Sequence, residues 1–209
     1  MRIAVICANG RSGRLIVEEA VNRGNDVTAF VRDENKTKAQ HAVIKNVLEI
    51  KADDLKNFDV VIDAFGAWTE DTLPLHPKVM QVLCDAVANT NIRLLAVGGA
   101  GSLYLNPEYT MTLADAPDFP DSYKPVAYWT EQALKTVRAS KNVNWTYISP
   151  ASDFQAEGKR TGKYVLAGEE FKTNSKGVSE ISYADYAIAM VDEAMTGKNF
   201  KKRISVYSE

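Results

Sequence analysis

Residues 3–31 read IAVICANGRSGRLIVEEAVNRGNDVTAFV. An apolar run is followed by a turn with two glycines, an amphipathic run that ends at Gly24, and a second apolar run. This order predicts a strand, a tight turn, a helix and a parallel strand, within the roughly 30 residues that a dinucleotide-binding unit occupies. In such a unit the glycines let the backbone approach a pyrophosphate, and the amides that open the helix bind its negative charge.

The turn departs from the usual fingerprint at one position. Three glycines are typical, but Cys7 stands in the place of the first, ahead of Gly10 and Gly13. Turns with two glycines are common on protein surfaces, so a purely structural turn is the alternative. The context favours nucleotide binding, because the turn follows a strand and opens a helix.

The composition is that of one globular domain. The chain has 209 residues, of which 45% are apolar and 25% charged, and its formal net charge of -2 gives no reason to expect nucleic acid or a membrane as a partner. Cys7 and Cys84 are the only cysteines, which argues against a disulfide framework and fits a cytoplasmic location. His41 and His76 lie far apart, so no metal site is expected. We expect a monomer or a homodimer.

Strand and helix patterns alternate along the chain, which predicts an α/β fold, a Rossmann-like doubly wound parallel sheet. A short second helix is predicted over residues 34–42 and a third strand over 47–51. Further strands are predicted at 59–65, 93–97, 144–149 and 203–207, helices at 77–89, 126–139 and 183–195, and a long loop at 104–123. The pattern loosens near residue 150. We therefore expect a single domain, residues 1–209, with a small C-terminal substrate lobe over roughly 150–209.

Ligands of open parallel sheets bind beyond the carboxyl ends of the strands, near the point where the strand order reverses. The predicted strand ends therefore supply the candidate cofactor-binding residues. They are Asn9, Gly10, Arg11, Ser12, Gly13, Arg32, Asp53, Asp54, Ala64, Phe65, Gly66, Gly98, Ser149, Pro150 and Ala151.

The residues after the second strand bear on the choice of dinucleotide. Arg32 stands where an acidic residue would hold the ribose 2′-hydroxyl of NAD. A guanidinium suits a 2′-phosphate instead, and Arg11 could add a second cation, so NADP(H) is favoured over NAD(H). Asp33 is adjacent and leaves the NAD alternative open. Asp53 could accept a hydrogen bond from the adenine amino group or merely cap a helix before Leu55.

The candidate catalytic residues are Ser102, which follows the fifth strand, and Tyr123. No tyrosine is followed four residues later by lysine, since Tyr128 precedes Gln132 and Tyr123 directly precedes Lys124. The usual pair that protonates a carbonyl oxygen is therefore missing.

The absence of a Tyr–Lys pair as proton donor favours a planar molecule as the acceptor of the hydride. Reduction of a ketone leaves an alkoxide that needs a proton donor, whereas a flavin ring spreads the charge and can take its proton from water. Several aromatic side chains could line the cleft, although ordinary core or loop packing is the first explanation for each of them. They are Phe65, Trp68, Tyr104, Tyr109, Phe119, Tyr123 and Phe154.

Several longer segments carry a family resemblance. They are GRSGRLIVEEAVNRGNDVTAFVRD (10–33), RLLAVGGAGSLY (93–104), DFPDSYKP (118–125), WTYISPA (145–151), RTGKY (160–164) and ISYADYA (181–187). With these segments the chain resembles, over nearly its whole length, the NADH-flavin reductases. These are single-domain atypical short-chain dehydrogenase relatives allied to biliverdin reductase B and the NmrA-like proteins.

The resemblance implies a Rossmann-like fold and a nicotinamide dinucleotide held by Gly10, Arg11, Ser12, Gly13, Arg32 and the end of the fourth strand. It also implies a substrate cleft near Ser102, Tyr123 and residues 149–151, without a catalytic Tyr–Lys pair. Such proteins usually have glycine where this chain has Cys7, whose Cβ is expected to crowd the turn or the pyrophosphate and so affect cofactor affinity.

The leading hypothesis is an NAD(P)H-dependent oxidoreductase of flavin or a similar planar acceptor, with flavin as a substrate rather than a tightly bound group. A non-catalytic NAD(P)-binding redox sensor of the NmrA-like type is one alternative. A relative of the sugar-nucleotide epimerases or dehydratases is another, although the missing Tyr–Lys pair counts against it.

Overall fold

The computed structural model describes residues 1–209 and contains ten strands and five helices. The strands are β1 (Arg2–Ile6), β2 (Asp26–Val31), β3 (His41–Ile44), β4 (Val60–Asp63), β5 (Arg93–Val97), β6 (Asn144–Ser149), β7 (Asp153–Gln155), β8 (Val165–Ala167), β9 (Glu180–Ser182) and β10 (Lys202–Tyr207). The helices are α1 (Arg11–Asn22), α2 (Ala52–Leu55), α3 (Leu75–Val87), α4 (Lys124–Ala139) and α5 (Tyr183–Thr196). None of the five helices combines the length and the apolar character needed to span a bilayer.

Eight of the strands form one sheet in the order β3-β2-β1-β4-β5-β6-β10-β8. Seven of them are parallel, and only β8 at the edge runs antiparallel to its neighbour β10. The strand order reverses beside β1, where Ile6 lies between Phe30 of β2 and Asp63 of β4. The structure therefore confirms the predicted doubly wound α/β fold, with its switch point between β1 and β4.

Two hydrophobic cores cover the two faces of the sheet. On one face Ile16 and Val17 of α1 are buried with residues of α5, and on the other Leu83 and Val87 of α3 are buried with residues of α4. The central strands are buried on both faces, so they read as continuous apolar runs rather than as alternating patterns. Each fully buried aliphatic side chain contributes roughly 1.5–3 kcal/mol to folding.

Two predicted elements between the second and fourth strands are wrong. Residues 34–40 are a loop rather than a helix, because the side chain of Asn35 accepts hydrogen bonds from the Thr37 amide and hydroxyl, and such local bonds compete with helix formation. The third strand is β3, not residues 47–51. Those residues form a short 3-10 turn, which begins where Asn46 accepts a hydrogen bond from the Leu48 amide.

Much of the segment predicted as a C-terminal lobe packs onto the main sheet and its helices. Strands β7 and β9 form a separate two-stranded parallel sheet, but α5 packs against α1 and β10 enters the main sheet beside β6. Strand β8 also lies in the main sheet, beside β10, so within residues 150–209 only β7 and β9 form a sheet of their own. The long loop predicted at 104–123 is present and contains two short 3-10 turns.

Candidate functional site

The N-terminus of α1 has the features of an anion site. The helix begins after Gly10, no side chain caps it, and its first turn holds no acidic residue. The amides of Arg11, Ser12 and Gly13 donate to no protein group. Helix N-termini ordinarily satisfy these donors with a capping side chain, with water or with a ligand. Three amides that point away from the helix, with the positive end of its dipole, can together hold a diphosphate.

The glycines of the turn are required by close packing. A Cβ built on Gly13 would lie 2.8 Å from the Ala8 oxygen and 2.9 Å from the Cys7 oxygen, and one on Gly10 would lie 3.2 Å from the Cys7 oxygen. The start of α1 therefore rests directly on the end of β1. This proximity brings the helix amides to the carboxyl edge of the sheet.

Cys7 adopts a left-handed backbone conformation, of the kind that favours glycine. Its φ is +58°, in the left-handed region, which costs a non-glycine residue roughly 1–2 kcal/mol. Burial, with the nearby charge of Asp63, raises the pKa of the Cys7 thiol to about 12. The side chain is therefore a neutral thiol at neutral pH rather than a reactive thiolate.

Asn9 joins the glycine turn to the loop that follows β2. Its side-chain amide donates to Asp33 Oδ1 at 3.1 Å and to the Glu34 oxygen at 2.8 Å, and its Oδ1 accepts the Lys36 amide at 2.9 Å. Its own backbone oxygen accepts Arg14 Nε at 2.8 Å. Asn9 is therefore a positioning residue that connects the two loops, and its side-chain groups are already engaged.

Two guanidinium groups beside the turn have no protein partner. Arg11 and Arg32 are exposed, and neither forms an ion pair or a side-chain hydrogen bond, whereas Asp33 already accepts the Asn9 amide. The charge of Arg32 acts on the Cys7 thiol, so it lies near the turn. The free positive charges next to the uncapped helix suit a ligand with several phosphates.

Asp53 and Asp54 lie on α2, not at the end of a strand. Asp54 binds Lys45 Nζ at 2.7 Å and accepts the Lys51 amide at 2.7 Å, and the Lys45 bond lowers its pKa. Asp53 is exposed and pairs with Lys56 at 3.2 Å. Asp54 thus stabilises the short helix, and the adenine contact of Asp53 stays a prediction.

Two buried titratable side chains lie at the end of β4 and beside it: Asp63, which the sequence analysis missed, and His76, which it considered only as a metal ligand. Asp63 is buried, accepts the Phe65 amide at 3.0 Å, and has its pKa raised to about 6 by desolvation. His76, on α3, is also buried and places its Nε2 3.4 Å from the Ala67 nitrogen and 3.2 Å from the Ala67 oxygen. Its ring packs edge-on against Phe65 with centroids 5.2 Å apart. A carboxylate inside the apolar run DVVIDAF was the available signal for Asp63.

These contacts fix the predicted residues Ala64, Phe65 and Gly66. Ala64 is buried and its amide donates to the Ile6 oxygen of β1 at 3.1 Å. The end of β4 therefore lies beside the glycine turn, on the other side of the switch point.

The ends of β5 and β6 form the other half of the sheet edge. A Cβ on Gly98 would lie 2.3 Å from the Tyr147 ring, so only glycine fits there. Ser149 is fully buried, and its hydroxyl has no hydrogen-bond partner. Pro150 and the buried Ala151 follow directly. A buried hydroxyl without a protein partner is uncommon in folded proteins, so the Ser149 Oγ retains a hydrogen bond to offer at this strand end.

The two candidate catalytic residues have different environments. Ser102 is buried, and its backbone oxygen and its Oγ accept Nη1 of the buried Arg203 at 2.9 and 3.2 Å. Arg203 also binds Glu169, so Ser102 belongs to a buried ionic network. Tyr123 is more than half exposed at the start of α4, and no hydrogen bond joins it to Ser102. Lys124, beside it, pairs with Asp121 at 2.6 Å rather than with a tyrosine.

The buried tyrosines are also committed to structural bonds. The Tyr147 hydroxyl donates to the Thr130 oxygen at 2.9 Å, and the Tyr186 hydroxyl donates to the Ile148 oxygen at 2.6 Å. Burial raises the pKa of both phenols. Neither group is therefore arranged to deliver a proton to a substrate. A groove of about 700 Å³ lies between α3 and α4, away from these strand ends.

Residues 7–194 match the model of a family described as NAD(P)H-binding. The chain belongs to this NAD(P)H-binding family. The match includes the glycine turn, α1 and every strand end described above. The residues present fit the family's cofactor, because three unpaired amides, two unpaired guanidinium groups and an orphaned buried hydroxyl all lie at strand ends.

Known relatives share the whole length of the chain. YwnB of Bacillus subtilis (strain 168) is 41% identical over 212 aligned residues, which cover 100% of this chain and 99% of the relative. A crystal structure from Streptococcus pneumoniae TIGR4, provisionally named an NADH-flavin reductase, is 52% identical, with a TM-score of 0.98 and full coverage of both chains. A Bacteroides thetaiotaomicron structure, provisionally named an epimerase, is 33% identical over 99% of this chain and 96% of its own, with a TM-score of 0.85. These similarities confirm the family resemblance and the fold.

Proposed function

We propose that this protein is an NAD(P)H-dependent oxidoreductase that reduces flavin, or a similar planar acceptor, by direct hydride transfer. The observation that carries the proposal is the set of three unpaired amides at the start of α1, flanked by the unpaired guanidinium groups of Arg11 and Arg32. Membership of the NAD(P)H-binding family and the name of the Streptococcus pneumoniae relative support it.

Different residues at the carboxyl edge of the main sheet would bind different parts of the dinucleotide. The amides of Arg11, Ser12 and Gly13 would bind the diphosphate. Arg32 would bind a 2′-phosphate, so we propose that NADPH is preferred over NADH. Ser149 lies across the switch point, and its orphaned hydroxyl would pair with a polar group of the nicotinamide half.

The protein groups near the strand ends suit an acceptor that needs no acid from the protein. When bound, the reduced nicotinamide would supply a hydride, which carries two electrons, and a flavin ring would take the accompanying proton from solvent. The available hydroxyls support this assignment, since Ser102 is held by Arg203 and Tyr123 has no lysine partner. The protein would then contribute proximity and the exclusion of water rather than proton transfer.

The remaining expectations about partners follow from the same site. We propose that a small planar molecule is the substrate, and that neither nucleic acid nor a membrane is a partner. Cys7 and Cys84 are both free thiols, which supports a cytoplasmic location.

The test mixes the purified protein with NADPH or NADH and with FMN, FAD, riboflavin or a quinone, and follows the loss of the nicotinamide absorbance. We expect turnover with at least one flavin and a lower KM for NADPH than for NADH. Binding of NADPH by calorimetry without turnover of any acceptor would instead support the non-catalytic sensor. Activity on a sugar nucleotide would support the epimerase alternative.

A further inference from the structure

Trp68 is an exposed indole at the edge of the candidate site. It exposes 68% of its surface, whereas Trp145 is buried and Trp129 is partly buried. It follows Asp63, the last residue of β4, by five positions, on the side of the switch point where ligands bind. An indole this exposed contributes little to the hydrophobic core and is available for contact with a ligand.

The backbone before Trp68 is held in place. Asp63 accepts the Phe65 amide at 3.0 Å, and the buried ring of His76 contacts both the nitrogen and the oxygen of Ala67, at 3.4 and 3.2 Å. Burial lowers the pKa of His76, so its ring is neutral near pH 7 and adds no charge to this loop. The residue immediately before Trp68 is therefore fixed by α3.

The backbone after Trp68 is also fixed. The amides of Thr72 and Leu73 both donate to the Thr69 oxygen at 2.9 Å, and the hydroxyls of Thr69 and Thr72 lie 2.6 Å apart. Hydrogen bonds therefore hold the backbone on both sides of Trp68. A ring that is exposed but held on fixed backbone loses little freedom when a ligand covers it.

The Nε1 edge of the indole lies near Gly66, a predicted cofactor residue. A Cβ built on Gly66 would be 3.9 Å from Trp68 Nε1, and the Nε1–H donates to no protein group. The indole is therefore close to the end of β4 and still open to solvent.

We propose that the Trp68 indole is the surface on which the planar acceptor stacks, and that it selects fused aromatic rings of the flavin class. This inference rests on the function proposed above and adds the residue that recognises the acceptor. A flat, conjugated ring gains from contact with the face of an indole, and stacked rings prefer an offset arrangement. The free Nε1–H can also donate to a carbonyl at the edge of such a ring.

The test compares W68A and W68F with the control variant W129F, because Trp129 lies on α4 in the groove beside α3 and outside the candidate site. FMN is titrated with each protein in the presence of NADP⁺, and the FMN fluorescence, which stacking on an indole quenches, is recorded. The KM values for FMN and for NADPH are measured with the same proteins.

We expect wild type and W129F to quench FMN, and W68A to leave it fluorescent. The KM of W68A for FMN should rise about three- to tenfold, the range expected for the loss of one stacked aromatic pair. Its KM for NADPH should not change, and W68F should lie between W68A and wild type because a phenyl ring keeps part of the stacking.

The outcomes separate this inference from the proposed function. If W68A quenches and reduces FMN with the wild-type KM, the role of Trp68 is refuted and the proposed function stands. If wild type binds NADPH but neither quenches nor reduces FMN, both are refuted. If W68A differs from wild type only in its sedimentation, the indole is a subunit contact and the stacking role is refuted.

Discussion

The substitution Gly13→Ala tests the packing of α1 on the end of β1. The new Cβ would lie 2.8 and 2.9 Å from two backbone oxygens, those of Ala8 and Cys7, where ordinary contacts begin at 3.4 Å. The helix must therefore move by about half an ångström. Overpacking of this kind costs roughly 1–3 kcal/mol, and the better helix propensity of alanine returns about 1 kcal/mol. We expect the free energy of unfolding to fall by about 1 kcal/mol.

The same displacement should weaken cofactor binding more than it weakens folding. It moves the amides of Arg11, Ser12 and Gly13 away from the position of the diphosphate. A hydrogen bond to a charged group contributes about 1.5–3 kcal/mol, so the loss of one raises the Kd for NADPH roughly ten- to hundredfold. Calorimetry gives the Kd and urea unfolding gives the stability.

Gly168→Ala is the matched control, because a Cβ there meets nothing within 4 Å and the residue does not adopt a positive φ. It should leave the Kd unchanged. A Gly13→Ala protein that unfolds normally and binds NADPH within twofold of wild type would refute the diphosphate role of this helix.

Three further perturbations address charges in and around the site. Arg32→Ala should raise the KM for NADPH about tenfold, corresponding to one lost charge-assisted bond, and leave the KM for NADH unchanged; equal effects on both would argue against a 2′-phosphate contact. The pKa of Asp63 is about 6 in the folded protein against 3.8 for the free side chain, so the folded state holds the proton more tightly. The stabilisation from this proton is present below about pH 4 and is lost as the pH rises through about 6. Asp63→Asn, which keeps the acceptor for the Phe65 amide, should therefore gain stability over wild type by about 2–3 kcal/mol between pH 4 and 7; a difference in urea midpoints that does not change with pH would contradict this. Arg203→Met should lower the free energy of unfolding by about 2 kcal/mol, because it leaves the buried backbone oxygen of Ser102 without its donor and takes one of two cations from the partly exposed Glu169; a change below about 0.5 kcal/mol in urea unfolding would show that the network contributes little.

The parts of the fold that could be predicted are those encoded locally. The apolar periodicity predicts α1 and its two flanking strands. Gly10 and Gly13 predict the turn between them, where the start of the helix packs closely against the end of β1. The central strands follow from apolar runs such as RLLAV, whose burial on both faces leaves no alternation. These signals lie within a few residues of the elements that they specify.

The parts that could not be predicted depend on contacts between distant residues. The loop after β2 is held by Asn9, which lies 24 or more positions away in the sequence, so its helical pattern was misleading. Ser102 is held by Arg203, 101 positions later, which no local pattern reveals. Asp63 and His76 became candidates only when the fold showed that both are buried at one strand end.

The central claim is that α1 and Arg32 hold a dinucleotide whose nicotinamide faces the strand ends. A crystal structure of the protein soaked with NADP⁺ tests it directly. We predict the diphosphate within hydrogen-bond distance of the amides of Arg11, Ser12 and Gly13, and the 2′-phosphate on Arg32. A dinucleotide bound elsewhere on the molecule, or none at saturating concentration, would contradict the account.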